Sequence, residues 1–70
     1  MPRGTRHELI GRLREIDGRW SLRPDEGGEW RLDVGLLLSW RARRLAGNRV
    51  RVIGVRDGFD LLAVERLTAL

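Results

Sequence analysis

Leu36-Leu37-Leu38-Ser39-Trp40-Arg41-Ala42-Arg43-Arg44-Leu45-Ala46 is the stretch whose period decides the fold. Leu38, Ala42, Leu45 and Ala46 fall at i, i+4, i+7 and i+8, the spacing of one apolar stripe along an α-helix. Gly47-Asn48 behind it supplies a left-handed stop, and the arginines of the last turns suit the negative end of the helix dipole.

On both sides of this helix the period falls to two. Upstream, Arg19-Trp20-Ser21-Leu22-Arg23 and Glu29-Trp30-Arg31-Leu32-Asp33-Val34 alternate as strands, joined by Pro24-Asp25-Glu26-Gly27-Gly28. Residues 7–16 form a strand before them, and Asp17-Gly18 predicts a two-residue type I′ hairpin between the first and second strands. Leu9 and Leu13 are in phase around Gly11, whereas Ile10 and Ile16 have the other parity, which predicts a bulge or sharp bend at Gly11. Downstream, residues 49–56 form a strand with Val50 and Val52 inward and a phase change near Ile53-Gly54 that turns Val55 inward. Asp57-Gly58 predicts a second two-residue hairpin. The last strand, residues 59–67, has mixed phase: Phe59 and Leu61 first, then Leu62 and Val64.

The order is β-β-β-α-β-β, and strands this short curl into a small closed or nearly closed barrel because curling removes exposed edges. The expected class is mainly β, a five-stranded OB-fold-like barrel with its helix between strands three and four. An SH3-like barrel is the alternative; it carries only a 3₁₀ turn, before the last strand, and the long stripe argues against it. Seventy residues without cysteine allow one domain held by its core, residues 7–70, preceded by an untethered segment, residues 1–6. With 41% hydrophobic and 34% charged residues the chain has a globular balance. No apolar run approaches the roughly 20 residues of a membrane helix. The basic start has no apolar stretch behind it, so no secretory signal is read and the expected address is the cytoplasm.

All 14 basic residues are arginine, and the net charge is +4. Between Asp33 and Asp57 there is no acid, while Arg41, Arg43, Arg44, Arg49, Arg51 and Arg56 lie there. Such clustering is the footprint of a polyanion partner, and Arg41, Arg43, Arg44, Arg49 and Arg51 are the candidate contacts for nucleic acid or another polyanion. The plainer reading of the same segment is a solvated helix face and strand exterior. Barrels of the OB kind hold single strands across strands two and three, using outward rings for stacking. Parity here turns Trp20 and Trp30 inward with Leu22 and Leu32. The outward set, Arg19, Ser21, Arg23, Glu29, Arg31 and Asp33, is mixed in sign and ringless, and two-residue turns are too short to clamp a strand. Trp40 lies about 200° around the helix from Leu38. With Leu36 and Leu37 it forms a candidate partner contact, most simply for a second copy of the chain, unless it covers the barrel's rim.

Chemistry is constrained by inventory: one histidine, His7, and no cysteine, lysine or tyrosine. Ser21, Ser39, Thr5 and Thr68 have no base placed beside them, so no catalytic residue is expected and His7 reads as a strand-edge side chain. Asp25, Glu26 and Glu29 are the one local acidic cluster. They fall short of the ligand count that calcium takes, so neither metal nor cofactor is expected. The glycines match neither a dinucleotide fingerprint nor a P-loop.

Glu8-Leu9-Ile10-Gly11-Arg12-Leu13, Trp30-Arg31-Leu32, the run from Leu45 through Gly47-Asn48 to Val52, and Arg56-Asp57-Gly58-Phe59-Asp60-Leu61 together resemble small bacterial proteins of a domain-of-unknown-function family. The resemblance implies an OB-like barrel and carries over no functional residue. The reading is a non-enzymatic binding module.

Overall fold

The computed structural model describes residues 4–70. Its elements are β1 (Arg6–Ile16), β2 (Arg19–Pro24), β3 (Trp30–Asp33), α1 (Leu36–Leu45), β4 (Arg49–Arg56) and β5 (Leu61–Ala69). The protein is mainly β: five strands form one sheet closed into a ring, β1-β2-β3-β5-β4, with β4 returning to β1. Every neighbouring pair is antiparallel except β3 and β5. A parallel pair needs a long crossover, which α1 and β4 provide. Closure gives every described strand a neighbour on both sides, although the four-residue β3 pairs with only part of β2 and β5.

β1 is long enough to serve two neighbours, pairing with β4 through residues 6–12 and with β2 through residues 11–16. Gly11 lies in the overlap. A Cβ there would stand 2.6 Å from the Pro24 Cα and 2.7 Å from the Arg23 carbonyl carbon, so a side chain is excluded by the backbone of β2. The bulge expected at Gly11 is instead a close crossing, with Leu9, Gly11 and Leu13 buried in unbroken alternation. The register break falls between β4 and β5, where Ile53 opposes Arg66 but Gly54 opposes Val64, leaving Glu65 as the extra residue of a β-bulge. β4 keeps Val50, Val52 and Gly54 inward throughout, and Val55 is only half-buried. The phase change read into β4 therefore belongs to β5, whose inward positions run Leu62, Val64 and then Leu67.

Asp17 and Gly18 have φ of 53° and 76°, the type I′ geometry expected. Asp57-Gly58 does not repeat it. Neither residue has positive φ, and residues 57–60 form a four-residue loop closed by the Asp57 N–H donating to the Leu61 carbonyl at 2.8 Å. Phe59 belongs to that loop and not to β5.

α1 matches the helical reading with a shorter end. Ala42 is fully buried, Leu38 and Leu45 pack against the core, and Ala46 is exposed beyond the last turn. Gly47, with φ of 86°, makes the stop. The core is Leu9, Leu13, Leu22, Leu32, Val50, Val52, Leu62 and Leu67, drawn from all five strands, with Ala42. Trp20 and Trp30 pack against it half-buried. At the start of the chain, the Arg56 N–H donates to the Thr5 carbonyl at 3.0 Å and Arg6 pairs with Glu65 at 2.9 Å. Residues 4–6 of the segment read as untethered are thus tied to the ring, and the rest of that segment lies outside the described residues. No helix among the described residues is long and apolar enough to cross a membrane.

Candidate polyanion interface

A two-residue turn pairs residues equidistant from it, so Asp17-Gly18 sets Arg12 against Arg23 and Arg14 against Ser21. On the other flank of β1, Arg49 of β4 is the register partner of Arg12. Arg49, Arg12 and Arg23 therefore form one row across three strands, and all three are exposed. Directly opposed positions hold their Cβ atoms about 4.5–5.5 Å apart, where like charges destabilise a sheet. A second row, Arg14, Ser21 and Arg31, runs across β1, β2 and β3.

Part of this charge is answered within the chain. The Arg49 guanidinium binds the Asp25 carboxylate, with Nε donating to Oδ2 at 3.1 Å. That hydrogen bond holds the Asp25 carboxyl below its ordinary value and raises Arg49. Arg31 pairs with Asp60 at 2.7 Å, lowering that carboxyl in the same way. Arg12 donates to the Gly47 carbonyl at 2.6 Å, which uses a donor without removing the charge. Arg14, Arg19 and Arg23 make no ion pair or side-chain hydrogen bond among the described residues. Beside them an open cleft of about 530 Å³ is lined by Trp20 and Ser21 and by charges of both signs, Arg19 and Arg31 with Asp17 and Glu29, and the buried Ser21 hydroxyl has no partner among the described residues.

The five arginines picked from the sequence are not gathered into one surface of free charge. Arg49 and Arg51 are met by Asp25 and Glu8, the latter at 3.1 Å, so a stretch free of acids along the chain is not free of them in space. Arg41 reaches the Leu67 carbonyl at 3.4 Å, while Arg43 and Arg44 are exposed on α1. Only Arg49 joins the cross-strand row. Arg12 and Arg23 complete it and Arg14 stands in the second row; of these three only Arg23 figures in the outward set read from the sequence.

The β4–β5 loop also departs from expectation. The Arg56 guanidinium carbon lies 5.9 Å from the Trp30 ring centroid and 5.8 Å from that of Phe59, within cation–π range of both. Its nitrogens donate to the Gly58 carbonyl at 3.0 Å and the Phe59 carbonyl at 2.7 Å, fixing the loop. His7, half-buried, sits 5.2 Å from the Trp30 ring and 2.8 Å from the Thr5 hydroxyl. Phe59 is 87% exposed, so an outward ring stands on a loop that is longer than two residues. Leu36, Leu37 and Trp40 are likewise exposed on α1. Among the described residues no group of three or more histidine, cysteine or acidic side chains could hold a metal ion.

A five-stranded sheet closed into a ring, with one short helix between β3 and β4, defines a small, mainly β domain. The chain belongs to a family described as a protein of unknown function, DUF5818, whose model matches residues 10–70, all of the ring except residues 6–9 of β1. No curated protein and no solved structure matches it.

Proposed function

We propose that the protein is a non-enzymatic module of OB-like build that binds single-stranded nucleic acid across the outer face of β1 and β2. The observation that carries this is the opposed pair Arg12 and Arg23, neither ion-paired among the described residues, with Arg14 one step along β1 and the Asp25-paired Arg49 on the other flank of Arg12. Like charges held opposite one another work against the fold, and a polyanion laid over them converts repulsion into attraction. The ring order, the parallel β3–β5 pair and the helix between β3 and β4 support the OB-like part of this reading, and OB-like builds bind oligonucleotides on the outside of their strands.

The test is fluorescence anisotropy of a labelled mixed-sequence single-stranded 20-mer over a range of salt. For single strands the slope of log affinity against log salt is about −0.7 per phosphate neutralised. Replacing Arg12, Arg14 and Arg23 together with glutamine should flatten it by roughly 2 units. Unchanged affinity and slope in that variant would refute the assignment, and loss of binding in Arg43→Glu/Arg44→Glu alone would move the site to α1.

A further inference from the structure

Leu36 is 87%, Leu37 89% and Trp40 72% exposed, and all three lie within the first half of a ten-residue helix. Trp40 is four residues from Leu36 and from Arg44, and Leu37 is four residues from Arg41, so the apolar and cationic side chains share one face. That face opens onto a groove of about 460 Å³ between α1 and the end of β5, lined by Leu37, Trp40, Arg41, Arg44, Leu45 and Ala69. Every charge lining it is positive. No acid occurs in residues 34–56, so none on the helix can neutralise Arg41, Arg43 or Arg44.

We infer that this groove docks a segment of a partner protein that combines acidic residues with a large apolar anchor. Tryptophan and arginine together form the usual energetic centre of a protein interface, with the ring filling a desolvated contact and the guanidinium engaging a carboxylate. Charge decides against a second copy of the chain. In a two-fold interface each patch meets itself, which would set Arg41 and Arg44 against their own counterparts with no acid in the patch to separate them. An acidic segment supplies the missing charge and covers the leucines and Trp40 at once.

A display library of random 12-residue peptides, panned on the full chain with Trp40→Ala as counter-selection, tests this directly. Enriched peptides should carry two or more Asp or Glu beside Leu, Phe or Trp. A synthetic representative should bind at least about 30-fold more weakly to Trp40→Ala, and also more weakly to Arg44→Glu or when its own acids are changed to amides. Trp40 and Arg44 are both exposed, so Trp40→Ala and Arg44→Glu should melt within a few degrees of wild type; Arg44→Glu serves alone if Trp40→Ala does not fold. Three results would overturn the inference: enriched peptides without acids, peptide binding unaffected by Trp40→Ala and Arg44→Glu, or a dimer in sedimentation that Trp40→Ala dissolves. The outcome is separate from the nucleic-acid reading, because the oligonucleotide should bind Trp40→Ala as it binds the wild type.

Discussion

Replacing Arg23 with glutamate is expected to stabilise the protein and to weaken its hold on a polyanion, two opposite effects from one side chain. Arg23 faces Arg12, which faces the Asp25-paired Arg49 on its other flank, and Arg23 makes no ion pair among the described residues. Opposite charges directly across an antiparallel pair contribute about 0.2–1 kcal/mol, and like charges oppose the sheet by a similar amount. Reversing the sign of Arg23 therefore swings the pair by roughly 0.4–2 kcal/mol. For a domain of this size 1 kcal/mol moves the melting temperature by about 4–8 °C, so the rise is about 2–15 °C. Charges at the surface are screened over about 10 Å at 0.1 M salt and about 3 Å at 1 M, so the gain should nearly vanish in 1 M sodium chloride. In the binding titration the same substitution removes one cation, flattening the salt slope by about 0.7. It also adds repulsion toward phosphate. Circular-dichroism melts at low and high salt, with Arg23→Gln as the neutral midpoint, measure the first effect, and anisotropy measures the second. A glutamate variant that melts below wild type at low salt would show that the arginine stem packs favourably and that the row is not repulsive. Unchanged binding would remove β2 from the interface.

Gly11→Ala should lose at least about 2–3 kcal/mol in urea unfolding, because its methyl group meets main-chain atoms of Arg23 and Pro24 that cannot rotate away; a wild-type midpoint would contradict the close crossing. Gly18→Ala should lose about 1–2 kcal/mol for a different reason, since its surroundings are open but its φ is 76°; a neutral result would place the turn in another geometry. The carboxyls of Asp25 and Asp60 are held below their ordinary value of 3.8 by hydrogen bonds from Arg49 and Arg31. Their contribution is complete above that value and is lost as the pH falls through the lowered one, so wild-type melting temperature should drop on acidification below about pH 4. The drop should be shallower in Asp25→Asn/Asp60→Asn, and parallel curves would refute the assignment. Arg56→Ala should speed amide exchange at the loop amides of residues 57–60 while leaving the core amides protected; unchanged exchange would mean that the guanidinium does not hold the loop.

Where local chemistry decides geometry, the fold was readable in the residues. Asp17-Gly18 takes both its positive φ angles, and α1 lies where the stripe through Leu38 and Ala42 places it. The misreadings have separate causes, each a contact that the local pattern of residues does not announce. Asp57-Gly58 has the composition of a tight turn, yet the Arg56 guanidinium collects the Gly58 and Phe59 carbonyls and holds a wider loop open. Gly11 was read as a bend because glycine in a strand permits one. Its actual requirement comes from β2 crossing at contact distance, which no residue of β1 announces. The phase slip between Val64 and Leu67 was visible as a spacing of three, but alternation in β4 drew the bulge to the wrong strand.

The arginine row was half legible. Once Asp17-Gly18 is taken as a two-residue turn, counting outward from it places Arg12 opposite Arg23 with no further information. The signal was present in the same hairpin that the sequence reading used only for connectivity. Arg49 could not be added that way, because the β1–β4 register is set by ring closure between residues 37 positions apart. Counting acids along the chain failed for the same physical reason. Asp25 and Glu8 are remote in sequence from Arg49 and Arg51 but adjacent across the sheet, and Coulomb energy depends on distance in space. A strand-exterior arginine thus gains its meaning from its two lateral neighbours. Arg51 has an acid within reach and reads as a solvated ion pair, while Arg12 stands between Arg23 and the Asp25-paired Arg49 and makes no ion pair of its own among the described residues.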